Sequence, residues 1–150
     1  MALTGVPVIG KNRKAYYDAD GSIASPTWVE IGKCQAADMS GDRDKAEVKE
    51  RDCDFTTYMA GHWNIEPTIE LTVRPGNSVY DALWTAWDTG GLIGIAISTG
   101  AIATQGNQHF QAEVLITSWQ SGGGHTDVTA TLTFSPYAGY TTAPAMAQTA

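Results

Sequence analysis

Three histidines and two cysteines are the residues of this chain whose types could support nucleophilic or metal chemistry. Nucleophilic catalysis needs a nucleophile, a base and an orienting acid, and no recognisable motif of that kind surrounds the histidines. The cysteines and histidines also lack the short C-x₂₋₄-C or H-x₃₋₅-H spacing of structural zinc sites. We therefore predict no enzyme activity, no metal and no cofactor, with the cysteines as reduced core thiols; the residues are His62, His109, His125, Cys34 and Cys53.

The sequence Asp18-Ala19-Asp20-Gly21 has the alternating carboxylates that begin a calcium-binding loop. Such a loop needs a glutamate near its twelfth position, and the twelfth position from Asp18 is Val29. The pattern therefore favours a tight turn, in which Gly21 supplies the positive φ angle.

The five tryptophans leave one binding function open: a secreted β-sandwich module that binds carbohydrate on an aromatic platform. Trp84 and Trp87 are predicted to be core residues of a helix, and Trp28 opens a predicted strand. The candidates for an exposed platform are therefore Trp63 and Trp119.

Composition excludes several classes of protein. Of the 150 residues, 43% are hydrophobic and 17% charged, which suits one packed domain rather than a disordered chain. The formal net charge of −7 disfavours adhesion to nucleic acid, which depends on Lys and Arg; the basic cluster 11–14 is too small to provide a platform. The longest apolar run, 92–97, is too short to span a membrane. Residues 1–5 lack the pattern of a secretory signal, so export cannot be assumed.

Alternating apolar residues predict most of the strands. A hairpin is expected over 14–35, with an extended run from Thr27 to Cys34 that is buried on one side. Further strands are predicted over 65–73, 92–98, 110–119 and 127–135, with 100–108 as a polar turn. Their predicted core residues are Ile65, Ile69, Leu71, Val73, Ile93, Ile95, Ile97, Phe110, Ala112, Val114, Ile116, Val128, Ala130, Leu132 and Phe134.

One helix is predicted over about 78–88. Ser78 stands three residues before Asp81, as in a capping box, and Val79, Leu83 and Trp87 repeat every four residues. Gly90-Gly91 is expected to end the helix. The resulting fold class is mainly β (α+β), an antiparallel sheet with one flanking helix.

Three polar segments are predicted to be irregular or peripheral. Residues 35–45 are expected to form a long mobile loop, 46–51 a strand at a sheet edge or facing solvent, and 52–61 an irregular return. The Ala/Thr/Pro-rich residues 137–150 are expected to be a flexible tail after a single domain, 1–136.

The order of these segments resembles the phage tail tube proteins of long-tailed phages. The similar features are the Lys-x-Tyr-Tyr hairpin, the run Ser25-Pro26-Thr27-Trp28-Val29-Glu30-Ile31-Gly32, an acidic loop, Ala46-Glu47-Val48-Lys49-Glu50-Arg51, Ile69-Glu70-Leu71-Thr72-Val73, one helix, a buried strand, and Thr126-Asp127-Val128-Thr129-Ala130-Thr131-Leu132-Thr133-Phe134. The resemblance covers about residues 14–136. The tail and the polar stretch 52–62 depart from it.

The resemblance implies a β-sandwich or barrel-like subunit that assembles into hexameric rings, which stack into the tube through which DNA leaves the capsid. It implies a virion location, assembly in the host cytoplasm, and tape-measure, tail terminator and tail-tip proteins as partners, with no membrane. Double-stranded DNA would pass without specific binding. Tube proteins of contractile or gene-transfer-agent-type injection machines are a close alternative.

Two sets of residues receive roles under this resemblance. Residues on polar strand faces would line the lumen: Glu66, Glu70, Glu113, Thr129, Thr131 and Thr133. Residues of the acidic loop would order on assembly and contact the next ring: Asp38, Met39, Asp42, Arg43 and Asp44.

Overall fold

The structure is a computed structural model that describes residues 13–32, 34–49, 51, 54–74, 76–123 and 128–148. Within them, one antiparallel sheet runs in the order β2-β1-β5-β6-β7-β4-β3, and β8 also pairs with β6. The elements are β1 (Lys14–Asp18), β2 (Val29–Glu30), β3 (Cys34–Val48), β4 (Thr57–Thr72), α1 (Ser78–Thr89), β5 (Ile93–Ser98), β6 (Gln108–Gly122), β7 (Thr129–Pro136) and β8 (Ala145–Gln148). The predicted fold class is confirmed.

The core lies on one side of this sheet, where the predicted alternation holds. Ile69, Leu132 and Phe134 have no exposed surface, and all six residues of β5 are buried. Each large apolar side chain so buried contributes about 1.5–3 kcal/mol to folding. Val128 is 45% exposed, against the prediction, because it precedes the first residue of β7 at the end of the sheet.

Helix α1 covers part of this core and matches its predicted bounds within a residue. Its N-cap is Asn77 rather than Ser78, since the Asn77 side chain accepts hydrogen bonds from the amides of Val79 and Tyr80. Gly90 ends the helix with a left-handed φ of 68°, as expected. Leu83 is buried against the sheet, whereas Trp84 is 46% exposed, so its prediction as a core residue is wrong.

The predicted loop 35–45 is wrong: these residues belong to the 15-residue strand β3, which pairs with β4 along its length. Strand β4 likewise begins at Thr57, inside the predicted irregular return. Strands β3 and β4 form a hairpin, and between Ile65 and its free end both faces of this hairpin are exposed. The sequence there therefore shows no alternation of apolar and polar residues. Pairing with β4, rather than burial, makes this polar segment a strand.

Two further segments differ from prediction. Within the run 27–34, the described strand residues are the two of β2, both exposed at the sheet edge opposite Tyr16 and Tyr17, and Cys34, which begins β3; Ile31 between them is buried. The predicted tail contains β8, which pairs with the first residues of β6. In the part of the chain that the structure describes, no helix has the length and apolar character needed to cross a membrane.

Candidate functional site

The residues considered for catalysis or metal binding do not come together among those the structure describes, which contain no group of three or more potential metal ligands. His109 is buried, with Nε2 3.3 Å from Oε1 of Gln111, and His62 is exposed elsewhere. Burial raises the pKa of the Cys34 thiol to about 11, so it stays protonated at neutral pH. Cys53 and His125 lie outside the described residues.

The side of the sheet opposite the core, its outer side, carries a polar surface on β6, β7, β4 and β3, which we call the open face. Cross-strand pairs define its rows: Thr133 lies between Ser118 and Thr68, and Thr131 between Gln120 and Glu70. Strand β3 extends these rows, since Asp38 pairs with Thr68 and Ser40 with Glu66. Four strands at a spacing of about 4.8 Å make this face roughly 15 Å wide.

The open face has acidic and neutral polar side chains, and none of its described residues is Lys or Arg. Its members are Asp38, Ser40, Glu66, Thr68, Glu70, Ser118, Gln120, Thr129, Thr131 and Thr133. Asp38 and Glu66 are exposed, and the threonines of β7 are half-buried. A surface of one sign repels polyanions such as the DNA backbone.

Five of the six predicted lumen residues lie on the open face: Glu66, Glu70, Thr129, Thr131 and Thr133. Glu113 does not, because it is fully buried in the isolated subunit. Glu113 lies on the same outer side of the sheet as the open face. Two surface segments, residues 19–28 and 137–144, cover it there and donate hydrogen bonds to its carboxylate. The prediction of Glu113 as a solvent-facing residue is therefore wrong.

The five residues of the predicted inter-ring loop occupy three places on β3. Asp38 lies on the open face, and Met39 is partly buried against the core. Asp42, Arg43 and Asp44 belong to a protruding hairpin, residues 42–48 of β3 with 57–64 of β4, which we call the arm. Almost every arm residue is exposed.

One face of the arm carries two cation–aromatic pairs. The guanidinium of Arg43 lies 5.7 Å from the ring centroid of Trp63, and the ammonium of Lys45 lies 4.7 Å from that of Tyr58. A β-bulge between Arg43 and Lys45 keeps both pairs on one face. Exposed cation–π pairs contribute about 0.5–1 kcal/mol each, so they stiffen the arm modestly.

Large apolar side chains remain exposed along the arm and at its end. Trp63 is 49% exposed, Tyr58 56%, Met59 64%, and Phe55, in the connecting segment, 74%. Such a concentration of exposed aromatic surface is typical of a contact site for another protein. Trp63 and Trp119 do not form the predicted carbohydrate platform together. The ring of Trp119 packs against the helix instead, with its centroid 5.6 Å from that of Tyr80 and 5.1 Å from that of Trp84.

Sequence reasoning missed Asp18 and Thr141, which position the segments that cover Glu113. The sequence suggests a turn at Asp18, but in the structure this residue is only 2% exposed, on the outer side of β1. Thr141 lies in the predicted tail and bonds Glu113 through both its amide and its hydroxyl. The available signal was a charged residue, Glu113, within the apolar-rich stretch 110–116 of β6.

Comparison with known proteins gives matches among solved structures. The chain is similar to one in the tail of an empty gene transfer agent particle with C6 symmetry, at a TM-score of 0.72 and 15% identity, covering 95% of this chain and 98% of that one. It is similar to the SPP1 tail tube at 0.70 and 13%, over 86% and 75%. The cap of the anti-feeding prophage, its tube-terminating cap, matches at 0.63 and 14%, over 99% of both chains.

No protein-family model and no curated protein matches the sequence. The structural matches extend over nearly the whole chain in spite of low identity. The expectation drawn from the order of segments is thereby confirmed at the level of architecture: this chain has the tail tube fold.

Proposed function

We propose that this protein is a structural, non-catalytic subunit that self-assembles into stacked hexameric rings and forms the tail tube of a phage virion. The observation that carries the proposal is the match, over 86–95% of this chain, to the gene transfer agent tail and the SPP1 tail tube. The tube would be a conduit for DNA during ejection. Its partners would be further copies of this chain and the tape-measure, tail terminator and tail-tip proteins.

Electron microscopy of the purified protein over a concentration series, with its mass in solution measured alongside, tests self-assembly. We expect six-membered rings or hollow tubes above a threshold concentration. A protein that remains monomeric at every concentration, and that also fails to extend added tail-tip complexes, would contradict the proposal.

Within such a tube, the open face would line the lumen. Its acidic and threonine side chains would keep water at the wall and repel phosphate, so DNA would slide without adhering. Each ring of six would carry six times the subunit's net charge of −7. Asp38 joins Glu66 and Glu70 in this role because it lies on the same face.

The paired substitution Glu66→Lys with Glu70→Lys tests the lumen assignment. We expect slower DNA ejection at low salt and recovery at high salt, because screening weakens the new attraction to phosphate. The matched control is Asp81→Lys with Asp88→Lys, which makes the same charge change on the exposed side of α1. Equal ejection by all three tubes at low salt would contradict a luminal open face.

The arm would reach the next ring and bury its exposed aromatic residues there. Arg43 and Trp63 are cross-strand partners, so a two-residue Asn-Gly turn can replace residues 44–62 and close the hairpin. We expect the shortened protein to fold as a monomer and to form no tubes. Full-length tubes from this variant would show that the arm is dispensable for stacking.

A tube of a contractile injection machine is the second candidate, favoured by the similarity to chains in the anti-feeding prophage cap and baseplate. Their TM-scores of 0.63 and 0.62 are lower than the 0.72 and 0.70 of the first two structures. Micrographs of complete particles separate the two candidates, since a contractile machine surrounds its tube with a sheath.

A further inference from the structure

Two buried carboxylates stand on either side of one glycine on the outer side of the sheet. Asp18 of β1 pairs with Gly94 of β5, which pairs with Glu113 of β6, so the three residues form one row. Asp18 is 2% exposed and Glu113 is not exposed at all. An ionised carboxylate is costly to bury unless it accepts several hydrogen bonds, so the burial of both carboxylates depends on the donors around this row.

These donors come from two surface segments. Asp18 accepts hydrogen bonds from the amides of Asp20 at 3.0 Å and Thr27 at 3.1 Å, which fixes the loop 19–28. Glu113 accepts one from the amide of Ile23 in the same loop at 3.4 Å. It also accepts bonds from the amide and the hydroxyl of Thr141, at 2.5 and 2.6 Å, in the segment 137–144, which we call the strap.

The strap interrupts the pairing along one side of β6, between β7 and β8. Strand β7 ends with Pro136 opposite Val114, and β8 begins with Ala145 opposite Gln111, both on the same side of β6. The strap leaves the sheet and returns to it around Glu113, whose carbonyl also accepts a bond from the amide of Tyr137 at 3.0 Å. The carboxylate of Glu113 is thus the anchor between the domain and its C-terminal strand.

Among the residues that the structure describes, the groups bonded to the Glu113 carboxylate are neutral hydrogen-bond donors, and none is a cation. The titratable residues on the outer side of the neighbouring described strands and in the two covering segments are Asp18 and Tyr16 of β1, Asp20 of the loop, His109 of β6, and Tyr137 and Tyr140 of the strap; the described parts of β5 and β8 have none. Lys14, at the far end of the same side of β1, pairs with Glu30 at 3.1 Å. Protonation would therefore remove the charge that the strap's donors bind.

Burial acts to raise the pKa of Glu113, but the hydrogen bonds from Thr141, Ile23 and Thr142 outweigh burial and lower the pKa below its ordinary value of 4.5. The ionised form is thus the one that this fold stabilises. As pH falls through the lowered value, the bonds from the strap weaken.

We propose that Glu113 is a pH-dependent clamp that holds the strap and β8 on the domain, and that protonation of its carboxyl group frees this C-terminal segment. The clamp is a property of the single subunit and does not rest on the proposed function. Releasing the segment uncovers the edge of β6 at residues 108–111.

Hydrogen exchange on the monomer, expressed as protection factors, tests the clamp. In the wild type we expect protection at Thr141 and in β8 to fall about 10-fold or more as pH is lowered from 7 through the lowered pKa of Glu113, in line with loss of charge-assisted hydrogen bonds. Protection at Ile95, in the centre of β5, should not change. Glu113→Gln should show the low protection already at pH 7 and no further fall.

Three variants secure the assignment. Thr141→Val removes only the hydroxyl donor and should shift the midpoint of the wild-type transition to higher pH, which remains measurable if Glu113→Gln does not fold. Glu70→Gln, a carboxylate on the open face, and His109→Gln should both keep the wild-type transition. The clamp is refuted by protection that is independent of pH in the wild type, by a transition that persists in Glu113→Gln, by one that stays unshifted in Thr141→Val, or by one that vanishes in His109→Gln.

Discussion

The outer side of the sheet has two halves that share a sequence pattern and differ in structure. On β1, β5 and the first half of β6, the residues alternating with the core are covered by loops, and Asp18 and Glu113 are buried. On β4 and β7, the corresponding positions form the open face, with Glu66 exposed. Alternation therefore tells which residues face away from the core, whereas exposure depends on segments distant in sequence.

The largest difference between the halves should appear on removing a carboxylate. Glu113→Ala leaves the buried amide of Ile23 and the partly buried donors of Thr141 without their acceptor, so we expect the free energy of unfolding to fall by about 3 kcal/mol. Glu70→Ala, on the open face, should change it by at most about 0.5 kcal/mol. Urea denaturation measures both, and equal losses would erase the distinction between the halves.

Lowering the pH should also reduce stability through the half that contains Glu113 rather than through the open face. Because the pKa of Glu113 is lowered in the folded state, its contribution to stability is fully present above 4.5 and is lost as pH falls through the folded value. Glu113→Gln should therefore flatten the dependence of the melting temperature on pH in the acidic range, while Glu70→Gln leaves the wild-type curve. A Glu113→Gln curve parallel to the wild type would count against the buried charge.

A methyl group added at a glycine should give a smaller effect. At Gly94 the new Cβ would lie 3.1 Å from Cγ2 of Ile23 and 3.2 Å from Cβ of Asp18, so the loop 19–28 must move outward. We expect Gly94→Ala to cost about 1–2 kcal/mol. Gly122→Ala is the control, because nothing lies within 4 Å of its Cβ, and a similar cost there would show that close approach is not the cause.

The smallest effect is expected within the open face itself. Thr131→Val keeps a β-branched side chain opposite Glu70, so the free energy of unfolding should change by no more than about 0.5 kcal/mol. A loss above 1 kcal/mol would mean that this face is packed against something in the subunit, as its other half is.

Much of the candidate site was accessible from sequence, and the exceptions have physical causes. Five of six predicted lumen positions lie together because strict alternation on β4 and β7 places them on one side. Glu113 followed the same rule, but its environment was set by Thr141, 28 residues later. Asp42, Arg43 and Asp44 were expected in a mobile loop, and pairing with β4 makes them part of a strand instead.

Local sequence patterns were enough for the features that depend on neighbours along the chain. The alternation of β4 to β7 placed the core, and a left-handed glycine ended the helix at Gly90, because side-chain direction and φ are local properties. Three features follow instead from contacts between distant segments: the return of the strap to β6, the strand conformation of polar β3, and the burial of Glu113. Each of these depends on hydrogen bonds between distant segments, whose pairing no local pattern specifies.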